Sequence, residues 1–261
     1  MTSAGRRRLQ PVFDFLITLV VWTYFTAGFV LLFSPFYLWA GIFSKNREQS
    51  FQLLNSRFYR GFFFLVRRVM PGHRWDIQPE VREIRSSVIV CNHRSYLDSI
   101  LLISLYERHN TIVKSRLFDI PFFGRMLQWS GYIPSSAEGR FADMLIPRLE
   151  RISAYLADGG NLIVFPEGTR SPNGSLGRFN KGAFKIARSC RAPIQVLFIR
   201  NTDRMFRRGS FSFDTPGPNT IRLEQVGRID AAAGCEIGSL SHVMDRVREM
   251  LELKNDGGGD A

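Results

Sequence analysis

Apolar residues dominate the start of the chain with almost no polar relief. From Phe15 to Ser44 there is no charged residue at all. A bilayer span needs roughly 20 apolar residues, so "FLITLVVWTYFTAGFVLLFSPFYLWAGIF" is long enough. A secretory signal would carry a shorter apolar core, about 7–15 residues, followed by small residues. This run is longer, and its far end is aromatic. Pro35 lies inside it and predicts a kink or break, because proline lacks an amide hydrogen and its ring strikes the preceding turn. That leaves one span or a two-helix hairpin. Next comes "FQLLNSRFYRGFFFLVRRVM", Phe51 to Met70, where Arg57, Arg60, Arg67 and Arg68 punctuate an apolar helix. Two readings stand side by side. One is a helix lying in a membrane interface; the other is a core helix with a solvated basic edge.

The pattern then changes to short apolar runs between polar turns. "SSVIVC" (Ser86–Cys91), "NTIVK" (Asn110–Lys114), "NLIVF" (Asn161–Phe165), "PIQVLFI" (Pro193–Ile199) and "TIRLEQV" (Thr220–Val226) read as strands. "SILLISLYE" (Ser99–Glu107) and "GAFKIARSC" (Gly182–Cys190) read as helices. "FADMLIPRLERISAYLADGG" places Leu145, Leu149, Ile152 and Leu156 at helical spacing and stops at Gly159-Gly160. Pro147 marks the expected first turn of that helix. In "LSHVMDRVREMLELK", Leu240, Val243, Met244, Val247, Met250 and Leu251 share one face. Alternating strands and helices argue an α/β domain. The tail "NDGGGDA" reads as disordered. The division expected is an N-terminal membrane anchor over 1–50, an amphipathic interfacial segment over 51–80, the α/β domain over 81–254 and a disordered tail over 255–261.

Composition narrows the partners. The 261 residues carry a formal net charge of +12 and 23 phenylalanines. Such a surface wants an anionic partner: nucleic acid, anionic lipid or a phosphorylated substrate. The basic residues flank the apolar run on both sides: Arg6, Arg7 and Arg8 before it, Lys45, Arg47, Arg57 and Arg60 after it. Basic flanks prefer the cytoplasmic side, which favours a hairpin dipping into the cytoplasmic leaflet over a single span, and no recognition helix for nucleic acid stands out. Cys91, Cys190 and Cys235 form no CxxC pair, and His73, His93, His109 and His242 show no metal-ligand spacing. Neither a disulfide framework nor a metal site is expected.

The first candidate chemistry lies in "VIVCNHRSYLDSILL", Val88 to Leu102. His93 and Asp98 are five residues apart, about 500° of rotation on an ideal helix, so they would not share a face. With His93 in the turn before a helix and Asp98 in its first turns, they can meet. A carboxylate on one imidazole nitrogen fixes the tautomer and leaves the other as a general base. No serine or cysteine nucleophile accompanies them, so the nucleophile expected is a hydroxyl on the substrate. The bland alternative is a surface histidine beside a capping acid. The second candidate is "VFPEGTRSPNG", Val164 to Gly174, a turn-rich loop at a strand end, where α/β sites gather. Arg170 suits a phosphate, and Glu167 suits Arg170 or a polyol hydroxyl. Its bland alternative is a Glu–Arg pair in a solvated turn.

Together these stretches resemble the glycerolipid acyltransferase superfamily, the lysophosphatidic acid acyltransferase-like enzymes. "NHRSYLD" matches the N-H-x4-D motif, and "FPEGTRS" matches another letter for letter. "VKSRLFDIPFFG" fits K-x2-L-x3-P-x2-G, "GRFNKGAFKIA" fits the F-x-K-G-A segment, and "RAPIQVLFI" corresponds to the proline-bearing motif. The resemblance covers roughly Arg82 to Ile229. It implies a single acyltransferase domain, an α/β fold with a mixed sheet flanked by helices, behind a membrane-embedded N-terminal segment. It implies His93 as catalytic base with Asp98 as its partner. Glu167, Gly168, Thr169 and Arg170 correspond to the acceptor-binding loop, with Lys181 a further phosphate contact. Asn92, Lys114 and Arg140 are further contributors. Acyl-CoA or acyl-carrier protein would be the donor, with no metal and no other cofactor, and a lysophospholipid hydroxyl the acceptor. One departure stands out. Where the family carries a phosphate-holding arginine after G-x-[IF]-[FI], this chain has "GYIPSSAEGR", Gly131 to Arg140, with Pro134, Ser135 and Ser136 there. A lyso-lipid with a larger headgroup, or a lyso-aminolipid, is the alternative acceptor. A non-catalytic lipid-binding protein on the same scaffold is the rival class, and the intact His93/Asp98 pair argues against it. A serine hydrolase lacks its G-x-S-x-G.

Overall fold

The computed structural model describes residues 3–171, 175–207, 209–230 and 239–256, with side chains of residues 3–9 and 256 left aside. Cys235 and residues 257–261 of the expected tail lie outside the described residues. The chain opens as one unbroken helical rod: α1 (Ser3–Thr23), a π-helical stretch (Tyr24–Phe33) and α2 (Ser34–Phe43). Within it, Gln10–Phe43 is 34 residues long and apolar enough to cross a membrane. At 1.5 Å per residue that is about 50 Å. Pro35 does not break the rod; it sits in the first turn of α2. The Ser34 N–H donates to Phe29 O, five residues back. This wider turn makes room where an α-helical carbonyl would meet the proline ring.

The hairpin partner of the rod is α3 (Arg47–Val69), and the turn between them ends where Asn46 caps α3, accepting the Gln49 N–H at 3.0 Å. Tyr37 donates to Asn55 Oδ1 at 2.6 Å, and Tyr24 donates to Phe58 O at 2.9 Å. Phe51, Phe58, Phe62 and Val66 of α3 are buried, while Arg57, Arg60, Arg67 and Arg68 are exposed. The apolar face of α3 packs into the core, and its basic edge stays exposed.

The body is a seven-stranded mixed sheet in the order β1-β7-β6-β2-β5-β3-β4. Its strands are β1 (His73–Ile77), β2 (Val88–Cys91), β3 (His109–Val113), β4 (Ile133–Pro134), β5 (Asn161–Val164), β6 (Ile194–Arg200) and β7 (Asn219–Ile229). β6 and β7 run antiparallel; the other pairs are parallel. Every side chain of β2 and β5 is buried, because helices cover both faces and strict polar alternation is lost. On one face, Ile89, Cys91, Leu197 and Ile199 pack against α3 and α4 (Tyr96–Leu105). On the other, Val88, Val90, Val196 and Phe198 meet α6 (Phe141–Ala157), α7 (Gly182–Cys190) and α9 (Leu240–Asp256). Each large apolar side chain buried this way contributes about 1.5–3 kcal/mol.

Several expectations need correcting. α4 starts at Tyr96, not Ser99, because Ser95 is its N-cap. α6 begins at Phe141, so Pro147 lies inside it. Pro147 and Asp143, whose carbonyl loses its usual donor, are both exposed, so solvent can take the donor's place. Leu149, expected on the apolar face of that helix, is 37% exposed. Two short helices, α5 (Phe123–Trp129) and α8 (Thr202–Met205), together with β1 and β4, had no forerunner in the pattern. α9 continues through Asp256, into the stretch expected to be tail.

Candidate active site

β6, β2 and β5 are neighbours and parallel, so the segments leaving their C-terminal ends converge. His93 leaves β2, the Phe165–Arg170 loop leaves β5, and Asn201-Thr202 leaves β6. This is the edge where parallel sheets place ligands. Ser95 and Asp98 form a capping box at the N-terminus of α4. The Asp98 carboxylate is fully buried. Its Oδ2 accepts from the Arg94 N–H at 2.6 Å and the Ser95 N–H at 2.7 Å, and lies 3.0 Å from His93 Nδ1. Its Oδ1 accepts from Thr202 Oγ1 at 2.5 Å. A carboxylate with these donors is an acceptor only, so His93 Nδ1 carries the hydrogen between them. Nε2 is then the basic nitrogen, and among the described residues it has no protein partner. The imidazole stacks on Phe165, centroids 4.2 Å apart at 28°. The spacing N-H-x4-D thus does two jobs, capping α4 and orienting the histidine.

Cys91 is the nearest thiol along the chain. Burial, then the charges of Asp98 and Glu167, push its pKa well above the usual range. It stays protonated inside the core and is no nucleophile.

His93 lines a cavity of about 790 Å³, within the roughly 300–1,000 Å³ range of ligand sites. Its apolar end is walled by Val21, Trp22 and Phe25 of the N-terminal rod, Tyr59 and Phe62 of α3, and Ile103 of α4. Its polar end holds His93, Lys114, Ser135, Gly168, Asn180 and Lys181. The structure therefore brings His93, Lys114, Gly168 and Lys181 to one cavity. Gly168 adopts φ +67°, and a Cβ there would sit 2.9 Å from Asn180 Nδ2, so the loop turns where only glycine fits.

The other expected site residues fall elsewhere. Glu167 does not reach Arg170. It is buried, and it accepts the Gly177 N–H at 2.8 Å and the His93 N–H at 3.4 Å. Thr169 is exposed beside the cavity rather than lining it. Arg170 stacks over Tyr96, 3.5 Å from the ring centroid, and Tyr96 lines the cavity. Asn92 is structural: it donates to Ile199 O at 2.9 Å and accepts the Ile199 N–H at 2.7 Å. Arg140 is an exposed side chain ion-paired with Asp119 and does not line the cavity. Ser135 stands on the cavity wall where the phosphate-holding arginine was sought. Thr202, Phe165 and Tyr96 were missed. Thr202 is 104 residues from Asp98, and nothing near either residue in sequence signals the contact.

Among the described residues, no group of three or more His, Cys, Asp or Glu side chains gathers to hold a metal ion.

Comparison with known proteins agrees with this geometry. Residues 73–200 match the family model described as Acyltransferase. A chloroplastic 1-acyl-sn-glycerol-3-phosphate acyltransferase of Brassica napus is 32% identical over 170 residues, 61% of this chain and 48% of that protein. A 1-acyl-sn-glycerol-3-phosphate acyltransferase of Helicobacter pylori is 32% identical over 124 residues, 46% of this chain and 51% of that protein. The chain spans about half the length of these curated relatives. The crystal structure of PlsC, the 1-acyl-sn-glycerophosphate acyltransferase of Thermotoga maritima, superposes with a TM-score of 0.70 at 20% identity. It covers 95% of this chain and 98% of that one, and shows a shared fold. The ordered motifs from His93 to Lys181 all lie inside residues 73–200, the segment that matches the Acyltransferase family model.

Proposed function

We propose that this chain is an O-acyltransferase that moves a fatty acyl group from acyl-CoA or acyl-carrier protein to the free hydroxyl of 1-acyl-glycerol-3-phosphate, giving phosphatidic acid. The observation that carries the reading is the His93 Nδ1–Asp98 Oδ2 contact at 3.0 Å, with the imidazole opening on the large cavity. The acceptor hydroxyl attacks the thioester carbonyl as its proton passes to His93 Nε2. The tetrahedral intermediate collapses, the carbon–sulfur bond breaks, and the thiolate leaves with the proton from His93. Asp98 stabilises the imidazolium between the two steps. The chemistry needs no metal and no redox cofactor. The apolar end of the cavity suits an acyl chain. Lys114 and Lys181, at its polar end, suit the acceptor phosphate.

Membrane lipids are the proposed surroundings, with the catalytic domain on the cytoplasmic face, and nucleic acid is not a proposed partner. Gln10 bonds Thr215 at 2.7 Å, Trp22 donates to Phe211 O at 3.1 Å, and Tyr37 reaches Asn55. The rod is thus tied to the rest of the chain along its length. Its opposite face exposes Leu16, Leu19, Leu31, Leu38, Trp39 and Ile42. A rod tied down on one side suits lying in one leaflet better than crossing the bilayer alone.

The test is acyl transfer by membranes holding wild type or His93→Ala, with radiolabelled acyl-CoA and a panel of lyso-lipids. A general base contributes about 10²–10⁴-fold, so His93→Ala is expected to lose product by that factor. Full turnover by His93→Ala would remove the dyad from the mechanism. The turn of Arg140 toward Asp119 favours a second reading, an acceptor with a larger headgroup. His93-dependent product from such a lyso-lipid alone would select it.

A further inference from the structure

We propose that Thr202 is a positioning residue for His93: its hydroxyl holds the second oxygen of Asp98, and Asn92 sets where that hydroxyl stands. The proposal rests on the reading of His93 as general base.

Asp98 is fully buried, and its two oxygens are used differently. Oδ2 gathers the N–H groups of Arg94 and Ser95 and the imidazole. Oδ1 has one partner, Thr202 Oγ1, at 2.5 Å. Bonds to one oxygen alone leave a carboxylate free to swing about its Cβ–Cγ bond. A donor on the other oxygen fixes its plane, and with it the ring of His93. Thr202 is itself fully buried, and its hydroxyl is not spent on capping α8.

The placement of Thr202 is built from both directions. Asn92 clamps the N–H and the C=O of Ile199 near the end of β6. Asn201 turns the chain in a left-handed conformation, φ +63°, and its side chain donates to Thr220 O at 2.8 Å. Asn219 donates to Asn201 O at 3.1 Å. On the far side of the α8 turn, Ser95 Oγ donates to Phe206 O at 3.0 Å. The residue before His93 in sequence and the helix cap after it thus both grip the segment that presents Thr202. The ring of contacts closes as Asn92, Ile199, Thr202, Asp98, His93.

The experiment uses the full chain and compares wild type with Thr202→Val, which keeps shape but removes the donor, and Thr202→Ser, which restores it. Four quantities are read: kcat and KM in acyl transfer, the thermal midpoint, and the downfield ¹H resonance of the His93 Nδ1–H, assigned with His93→Ala. Thr202→Val is expected to lose roughly 10–100-fold in kcat, the scale seen when a partner that orients a working side chain is removed. KM for donor and acceptor should hold within about twofold, by the logic that only transition-state interactions move kcat alone. The resonance should shift or broaden, and Thr202→Ser should restore both. Wild-type kcat with an unmoved resonance in Thr202→Val overturns the proposal. If Thr202→Val does not fold, Thr202→Cys takes its place, and wild-type kcat in that variant overturns the proposal equally. If the wild type transfers no acyl group, the reaction assigned to the site fails, while the resonance in Thr202→Val still decides the role of Thr202.

Discussion

The carboxylate of Glu167 accepts the main-chain N–H of Gly177 at 2.8 Å. Its other oxygen faces the N–H of His93 at 3.4 Å, so one buried acid ties the loop after β5 to the segment before α7 and to the dyad. Glu167→Gln would set an amide N–H₂ against one of those N–H donors. An unmet buried donor costs about 1–3 kcal/mol, and the midpoint falls by about 2–4 °C per kcal/mol in a chain of this size. Acyl transfer should drop with it, because the backbone of His93 loses a support. Thermal unfolding alongside acyl transfer checks both; an unchanged midpoint would show that the tie carries no weight.

Val113 sits on the cavity wall at the end of β3, half-buried. Val113→Phe would push a ring into the space while the His93–Asp98 contact stays in place. Preference should move toward shorter acyl donors, since one methylene in an apolar pocket is worth about 1–3 kcal/mol, or 10–200-fold. The measurement is kcat/KM across saturated acyl-CoA donors of increasing length. A parallel loss at every length would place the acyl chain outside this part of the cavity.

The strands were readable because β2, β5 and β6 are covered on both faces and appear as continuous apolar runs. The start of α4 was misread because Ser95 looks like a turn residue when it is the cap. β1, "HRWDI", carries two exposed or half-exposed charges among its five residues and so shows no apolar run. β4 has only two residues. In the site, His93 and Asp98 are close in sequence, so spacing alone could pair them. Thr202 is joined to Asp98 only because β6 lies beside β2. The ion pair of Arg140 with Asp119 joins residues 21 apart, and no local pattern in the sequence signals it. The role of Glu167 rests on main-chain donors, which no side-chain motif records.

His109 predicts a pH dependence of stability apart from catalysis. It is fully buried, with Nδ1 2.8 Å from Tyr106 O and Nε2 2.6 Å from the Tyr132 hydroxyl. The carbonyl can only accept, so Nδ1 donates and Tyr132 donates to Nε2. Tyr132 in turn accepts from Asn55 Nδ2 at 2.9 Å, which links the N-terminal hairpin to β3. Burial pushes the His109 pKa down to about 4 from 6.5. The unfolded chain therefore binds the extra proton first as pH falls. The stability from neutral His109 is complete above about pH 6.5 and is lost toward pH 4, at about 1.4 kcal/mol per pH unit. Denaturant unfolding at pH 7 and pH 5, in wild type and His109→Gln, isolates the term by difference. The wild type should lose more stability than the variant; equal losses would contradict the burial of a neutral imidazole.

Leu31 and Ile42, 71% and 66% exposed, lie on the outer face of the N-terminal rod, away from Tyr24 and Tyr37, which hold its inner face to α3. Such a stretch is far larger than the scattered apolar residues of a water-facing surface. The double substitution Leu31→Glu with Ile42→Glu leaves every contact of the inner face in place. Placing a carboxylate in hydrocarbon costs about 2.5–3.5 kcal/mol per site, so partition into anionic vesicles should fall by at least 100-fold. The dyad is untouched, so kcat with a short-chain, water-soluble lyso-acceptor should stay near wild type, while transfer to an acceptor held in vesicles collapses. Co-sedimentation with vesicles and the two transfer assays separate these effects. Unchanged sedimentation would mean that another surface holds the protein at the membrane, and equal loss in both assays would mean that the rod shapes the cavity rather than docks it.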